Sequence, residues 1–135
     1  MGQMDSRLVA DSSALVAIAV REPAWELLYE RLAKCSTSCV AAPTLLESAM
    51  VLWRKTGQDE RQGLADLMHA TGTTVVNFSD ETYQLAFEAF LRYGKGVHPA
   101  GLNFGDCISY ATAKQLDAAL LFVGDDFTRT DVRIA

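Results

Sequence analysis

The sequence predicts an α/β fold in which helices alternate with the strands of a short, mainly parallel sheet. Three observations carry this. Short apolar runs alternate with longer stretches of helical apolar spacing along the whole chain. Acids follow the first and last of the runs and stand near the starts of two helices, at the edge where parallel sheets bind their ligands. The length of 135 residues, half of them apolar, suits one domain spanning 1–135 with a filled core.

The elements follow in order. Arg7 to Ala10 reads as a strand. Asp11, Ser12 and Ser13 are good N-caps for the helix "ALVAIAV", which stops before Pro23. "AWELLYERLAK" (24–34) places Trp25, Leu28, Tyr29 and Leu32 on one helical face. "CVAA" (39–42) is a second strand, ended by Pro43. "TLLESAMVLWRKTG" (44–57) opens on Thr44 with Glu47 three residues on, a capping-box pattern, and stops at Gly57. "DERQGLADLMHATG" (59–72) is a further helix and "TTVVNF" (73–78) a strand. "SDETYQLAFEAFLRYGKG" (79–96) begins a helix at Ser79 or Asp80 and ends it at Gly94. Residues 95–103 form a loop before the helix that holds Asp106. "AALLFVG" (118–124) is a buried-type strand, and "DDFTRTDVRIA" is the tail.

Composition narrows the function. A net charge of −5 argues against a protein that holds nucleic acid by bulk positive charge. It leaves open an enzyme whose acids hold cations that then meet phosphate. No apolar run reaches the roughly 18 residues of a membrane span, and the N-terminus has no apolar core of a signal peptide. Cys35, Cys39 and Cys107 form no CxxC pair, and His69 and His98 stand at no zinc-site spacing. Reduced thiols in a cytoplasmic protein are expected.

The acids need more explanation. Asp11 follows the first strand directly, and Asp125 and Asp126 follow the last after one glycine. Glu47 lies in the first turn of one helix and Asp106 at the start of another. Each has a local role open to it. Asp11 suits an N-cap, Glu47 the partner of Thr44, and Asp106 the helix dipole, which is worth about 0.3–1 kcal/mol. Asp125 and Asp126 suit a solvated turn, a role that falls to one of them, and the remaining acids jointly place four carboxylates at one sheet edge, where they repel one another unless cations lie between them. Hard cations with oxygen ligands, Mg²⁺ or Mn²⁺, suit such a set, and phosphodiester hydrolysis is the chemistry that such a set supports.

"VADSSALVAI" (9–18), "PTLLESAMVL" (43–52), "LNFGDCISYATAK" (102–114) and "LLFVGDDFTRTDV" (120–132) resemble the four signature blocks of PIN-domain proteins, and within them the VapC ribonuclease toxins of type II toxin–antitoxin pairs. The resemblance implies a three-layer α/β/α sandwich and Mg²⁺- or Mn²⁺-dependent endonuclease activity on structured RNA, commonly tRNA or rRNA. It assigns the acid positions to Asp11, Glu47 and Asp106. For the fourth it points to Asp126, with the adjacent Asp125 facing away if the segment is extended. Asp131, in the "TD" pair, is either a further acid or a structural cap. Ser13 matches a small hydroxyl residue of the first block, and Asn103 is open to a similar role or to a loop turn.

The resemblance also implies a homodimer and a small VapB-type antitoxin. The antitoxin holds DNA with one part and wraps the toxin with another, so DNA is met only through it. Candidate RNA contacts are Arg54, Lys55, Lys95 and Arg129, with His98 as a loop residue. Each is also ordinary solvated charge when taken alone. The competing functions are a non-catalytic PIN-fold binding module, a receiver-like Mg²⁺ domain and a DNA-directed nuclease.

Overall fold

Four strands, β1 (Arg7–Ala10), β2 (Thr37–Ala41), β3 (Thr73–Val76) and β4 (Ala119–Leu121), form one sheet in the order β3-β2-β1-β4, and every pairing is parallel. This computed structural model describes residues 6–135, so the reading of the extreme N-terminus falls outside the described residues. Parallel neighbours require crossovers, and helices supply each one. Between β1 and β2 run α1 (Ser12–Ala19) and α2 (Trp25–Lys34). Between β2 and β3 run α3 (Ala42–Thr56) and α4 (Arg61–Thr71), and between β3 and β4 run α5 (Asp80–Tyr93) and α6 (Phe104–Gln115).

The strands alternate sides, as a period of two requires. Val9, Cys39 and Leu120 face a core built with α5 and α6. Ala10, Val40 and Leu121 face a second core built with α1 to α4. The result is a three-layer sandwich. Helix α6 is buried from Asp106 to Ala113. Its small residues Ser109, Ala111 and Ala113 let it lie close against the sheet centre.

Two local expectations change. Pro43 does not end the second strand. β2 passes directly into α3, and Pro43 stands in the first helical turn, where its missing N–H costs nothing. The helix therefore begins three residues earlier than the Thr44 pattern implies. Ala41 is the N-cap and makes no side-chain cap bond, so no Thr44–Glu47 capping box forms. Thr44 is buried with its hydroxyl unpartnered, and Glu47 is free for another role. The tail also does more than trail. It returns to the sheet edge, where Leu120 N–H donates to Arg133 O at 2.8 Å and Ala135 N–H donates to Leu120 O at 3.0 Å.

The loop before α6 is closed by its own backbone. Lys95 N–H bonds Leu102 O, and Leu102 N–H bonds Tyr93 O, each at 2.9 Å. All three cysteines are free thiols, and burial pushes Cys39 and Cys107 up to about 11. Among the described residues no helix is long and apolar enough to cross a membrane.

Phe127 anchors the segment after β4. It is 1% exposed and meets Phe122 edge to face at 4.9 Å. Phe127→Ala should cost about 3–5 kcal/mol in urea unfolding, the usual loss for a buried aromatic.

Candidate active site

The strand order reverses direction between β1 and β4, and in open parallel sheets ligands bind at such a point, beyond the carboxyl ends of the strands. Asp11 stands at this point. Its backbone N–H bonds Leu121 O at 2.9 Å, which ties the end of β1 to the end of β4. Its side chain caps α1, and Oδ2 accepts from Ser13 N–H at 3.1 Å and from the Ser13 hydroxyl at 2.6 Å. Oδ1 accepts from the Ser109 hydroxyl at 2.6 Å. Ser13 Oγ in turn accepts from Val123 N–H at 3.0 Å, so the residue that holds Asp11 also holds the segment leading to Asp126.

Asp106 is the N3 residue of α6. Asn103 Oδ1 accepts from Asp106 N–H at 2.9 Å, and Asp106 Oδ2 accepts from Asn103 N–H at 3.0 Å. This reciprocal pair is a capping box, and it fixes the loop-turn role of Asn103. Asp106 is 7% exposed. Burial raises its pKa to about 7. The Asn103 backbone bond opposes this, and the nearby charges of Asp126, Asp11 and Glu47 add to the rise. The charges that shift Asp106 are all acids, drawn from three other stretches of the chain.

Glu47 reaches the site from the first half of α3. Burial raises its pKa, a hydrogen bond with Ser12 lowers it, and the Asp11 charge raises it further. Its carboxylate lies against Gly105. A Cβ at that position would stand 2.6 Å from both Glu47 oxygens. This explains the glycine before Asp106. It is a seat for the neighbouring acid.

Asp125 and Asp126 follow β4 side by side. Asp126 acts on Asp106, and Asp125 is absent from the charges that do so. Both are exposed. Asp131 stands elsewhere. It accepts from the Tyr110 hydroxyl and from Lys114 Nζ at 3.2 Å, with Arg92 at 3.8 Å. Burial pushes Asp131 up, but these bonds and charges outweigh it and hold its pKa below the ordinary value. Through these contacts Asp131 latches the tail to α5 and α6.

The candidate RNA contacts are spread around the site. Arg54 and Lys55 are exposed in the last turn of α3, about 10–12 Å along the helix from Glu47. Lys95 is on the rim of an apolar groove that includes Tyr83, Phe87, Phe90 and Phe104, and Arg129 is exposed on the tail. His98 is structural, since Nδ1 accepts from Ala100 N–H at 3.0 Å and the ring meets Tyr93 edge-on. Ser12, Gly105 and Ser109 are site residues that the sequence reading passed over. The one signal available for Ser109 was its position three residues after Asp106, on the same helical face.

Four carboxylates with no softer donor among them suit a hard divalent cation. Among the described residues no three His, Cys, Asp or Glu side chains already close into a ligand group. The acids border a common space and share its negative charge.

Comparison with known proteins identifies the architecture. A model of the PIN domain matches residues 8–133. The chain belongs to the PIN-domain family. Among relatives of this PIN domain, Ribonuclease VapC36 of Mycobacterium tuberculosis is 40% identical over 126 residues, covering 93% of this chain and 91% of that protein. A Ribonuclease VapC of Mycolicibacterium smegmatis is 40% identical over 125 residues, covering 93% and 97%. Two solved structures share the fold. Mycobacterium tuberculosis VapC20, a sarcin-ricin loop cleaving toxin, superposes with a TM-score of 0.76 at 16% identity, covering 95% of this chain and 98% of that one. VapBC2 from Rickettsia felis, bound to a DNA fragment from their promoter, gives 0.71 at 18% identity, covering 95% and 96%. The receiver-like alternative is not supported, because receivers order their strands β2-β1-β3-β4-β5.

Two outcomes follow from this geometry. Gly105→Ala should keep the fold, because the atoms it meets end a flexible side chain. A crystal structure of the variant should show the Glu47 carboxylate displaced. Asp106 binds its proton more tightly folded than unfolded. Its contribution to stability is thus complete below the ordinary carboxyl value of 3.8 and is lost as pH rises through about 7. Metal-free Asp106→Asn should therefore melt above wild type at pH 8, with the gap closing at pH 5. A gap independent of pH would show that this carboxyl titrates in the ordinary range.

Proposed function

We propose that this chain is a Mg²⁺- or Mn²⁺-dependent endoribonuclease toxin that hydrolyses phosphodiester bonds in structured RNA, tRNA or rRNA, and is neutralised by a VapB-type antitoxin. The observation that carries this is the meeting of Asp11, Glu47, Asp106 and Asp126, from four separate stretches of chain, at the switch point of the sheet. Support comes from relatives named ribonucleases at 40% identity over nearly the whole chain and from the toxin–antitoxin assemblies that share the fold.

Asp11, Glu47, Asp106 and Asp126 hold the cation. A divalent cation held there would supply Lewis acidity toward water and the phosphate. The protein's own work is positional. The α6 capping box fixes Asp106, the hydroxyls of Ser13 and Ser109 fix Asp11, and Gly105 leaves room for Glu47. Arg54, Lys55, Lys95 and Arg129 meet the RNA backbone away from the acids. The molecule works as a homodimer in the cytoplasm. The antitoxin silences it by setting a cationic side chain among the same carboxylates, where it relieves their repulsion.

The test is direct. The chain, purified free of any partner, is incubated with total tRNA and rRNA and with Mg²⁺ or Mn²⁺, beside an EDTA control. Discrete cleavage is expected, lost with EDTA and lost in Asp106→Asn, which removes charge at nearly constant volume. Full activity in Asp106→Asn would sink the assignment. Asp126→Asn should cost far more activity than Asp125→Asn, and the reverse ranking would exchange their roles.

A further inference from the structure

Four helical hydroxyls in this protein share one kind of local partner. Ser48 Oγ donates to Thr44 O, Thr56 Oγ1 to Leu52 O and Thr112 Oγ1 to Ile108 O, each at 2.8 Å, and Thr71 Oγ1 donates to Leu67 O at 2.9 Å. Each bonds the carbonyl one turn back, the ordinary local solution for a Ser or Thr inside a helix. Ser109 departs from it. Its hydroxyl crosses from α6 to the end of β1, 98 residues away in sequence, and donates to Asp11 Oδ1 at 2.6 Å. Ser109 is 0% exposed, so neither substrate nor solvent reaches it. A hydroxyl has one proton to give, and here a carboxylate takes it at the short distance of a charge-assisted bond.

The consequence is a carboxylate gripped from both ends. Ser109 holds Oδ1 from α6, while Ser13 holds Oδ2 from α1 through its N–H and its hydroxyl. Rotation of the Asp11 carboxylate would break one grip or the other. The lone pairs left over have one orientation. Helix α6 also carries Asp106, three residues before Ser109, so one rigid element sets one acid and orients another.

We propose that Ser109 is a positioning residue that orients Asp11 for divalent-cation binding at this site. The proposal rests on the metal-dependent reading above, and its test separates the two. Metal-free wild type, Ser109→Ala, Asp11→Asn and the double variant are titrated with Mn²⁺ at pH 8. Free Mn²⁺ is counted by electron paramagnetic resonance, and thermal melts check folding. Outer partners of metal ligands usually matter by about 10–100-fold in affinity, and Ser109→Ala should weaken Mn²⁺ binding by that order. Ser109→Thr, which keeps the hydroxyl, should restore it. In the Asp11→Asn background Ser109→Ala should add no further loss, because its effect passes through Asp11.

Two results would overturn the role of Ser109 alone: folded Ser109→Ala that binds Mn²⁺ like wild type, or an equal loss with and without Asp11. Should Ser109→Ala not fold, Ser109→Cys, close in volume and a weak donor, takes its place with the same expectation. Wild type that takes up no Mn²⁺ would overturn the metal-site reading and this proposal with it.

Discussion

Like-charge repulsion is the constraint around which the carboxyl edge of this sheet is built. Four carboxylates border one space, and two of them are nearly or fully buried. An ionised carboxylate out of water is costly unless hydrogen bonds or opposite charge compensate it. The protein compensates with donors. Asp11 receives three hydrogen bonds, Asp106 receives the Asn103 N–H, and Glu47 is paired with Ser12. Where donors fall short, the proton itself does the work, and Asp106 holds its proton up to about pH 7. The site is thereby strained electrostatically in a direction that a cation relieves.

The supporting structure is the ordinary structure of the helices. Asp11 is an N-cap and Asp106 closes a capping box. A structural role and a chemical role were alternatives when each acid was taken singly. The capping role does not compete with the proposed one, for a geometric reason. Helix starts in a parallel sheet lie at its carboxyl edge, so a capping carboxylate already stands where ligands bind. Asp126 has no helix to support it. Its segment is held instead by Phe127 in the core, by Val123 N–H on Ser13, and by the Asp131 latch to Tyr110, Lys114 and Arg92.

Much of this was legible in the sequence. The alternation of strands and helices fixed the layer architecture, because period-two and period-3.6 apolar patterns bury different faces. The positions of Asp11, Glu47, Asp106 and Asp126 relative to strand ends placed them at one edge, since a parallel sheet aligns all its carboxyl ends. The Thr44–Glu47 pattern misled for a local reason. A capping box and a helix that starts early on Pro43 share the same residues, and only the path of the chain out of β2 distinguishes them.

What the tertiary structure alone decided concerns partners far apart in sequence. The Ser109 bond to Asp11, the seat that Gly105 makes for Glu47, and the removal of Asp131 from the site to Tyr110 each join separate elements. Sequence determines which face of an element is apolar and which residue types stand at its ends, because those follow from local periodicity and capping chemistry. Which side chain meets which across two elements depends on how closely they pack and at what rotation. Those are set by the whole core at once, so neither is encoded in any one stretch.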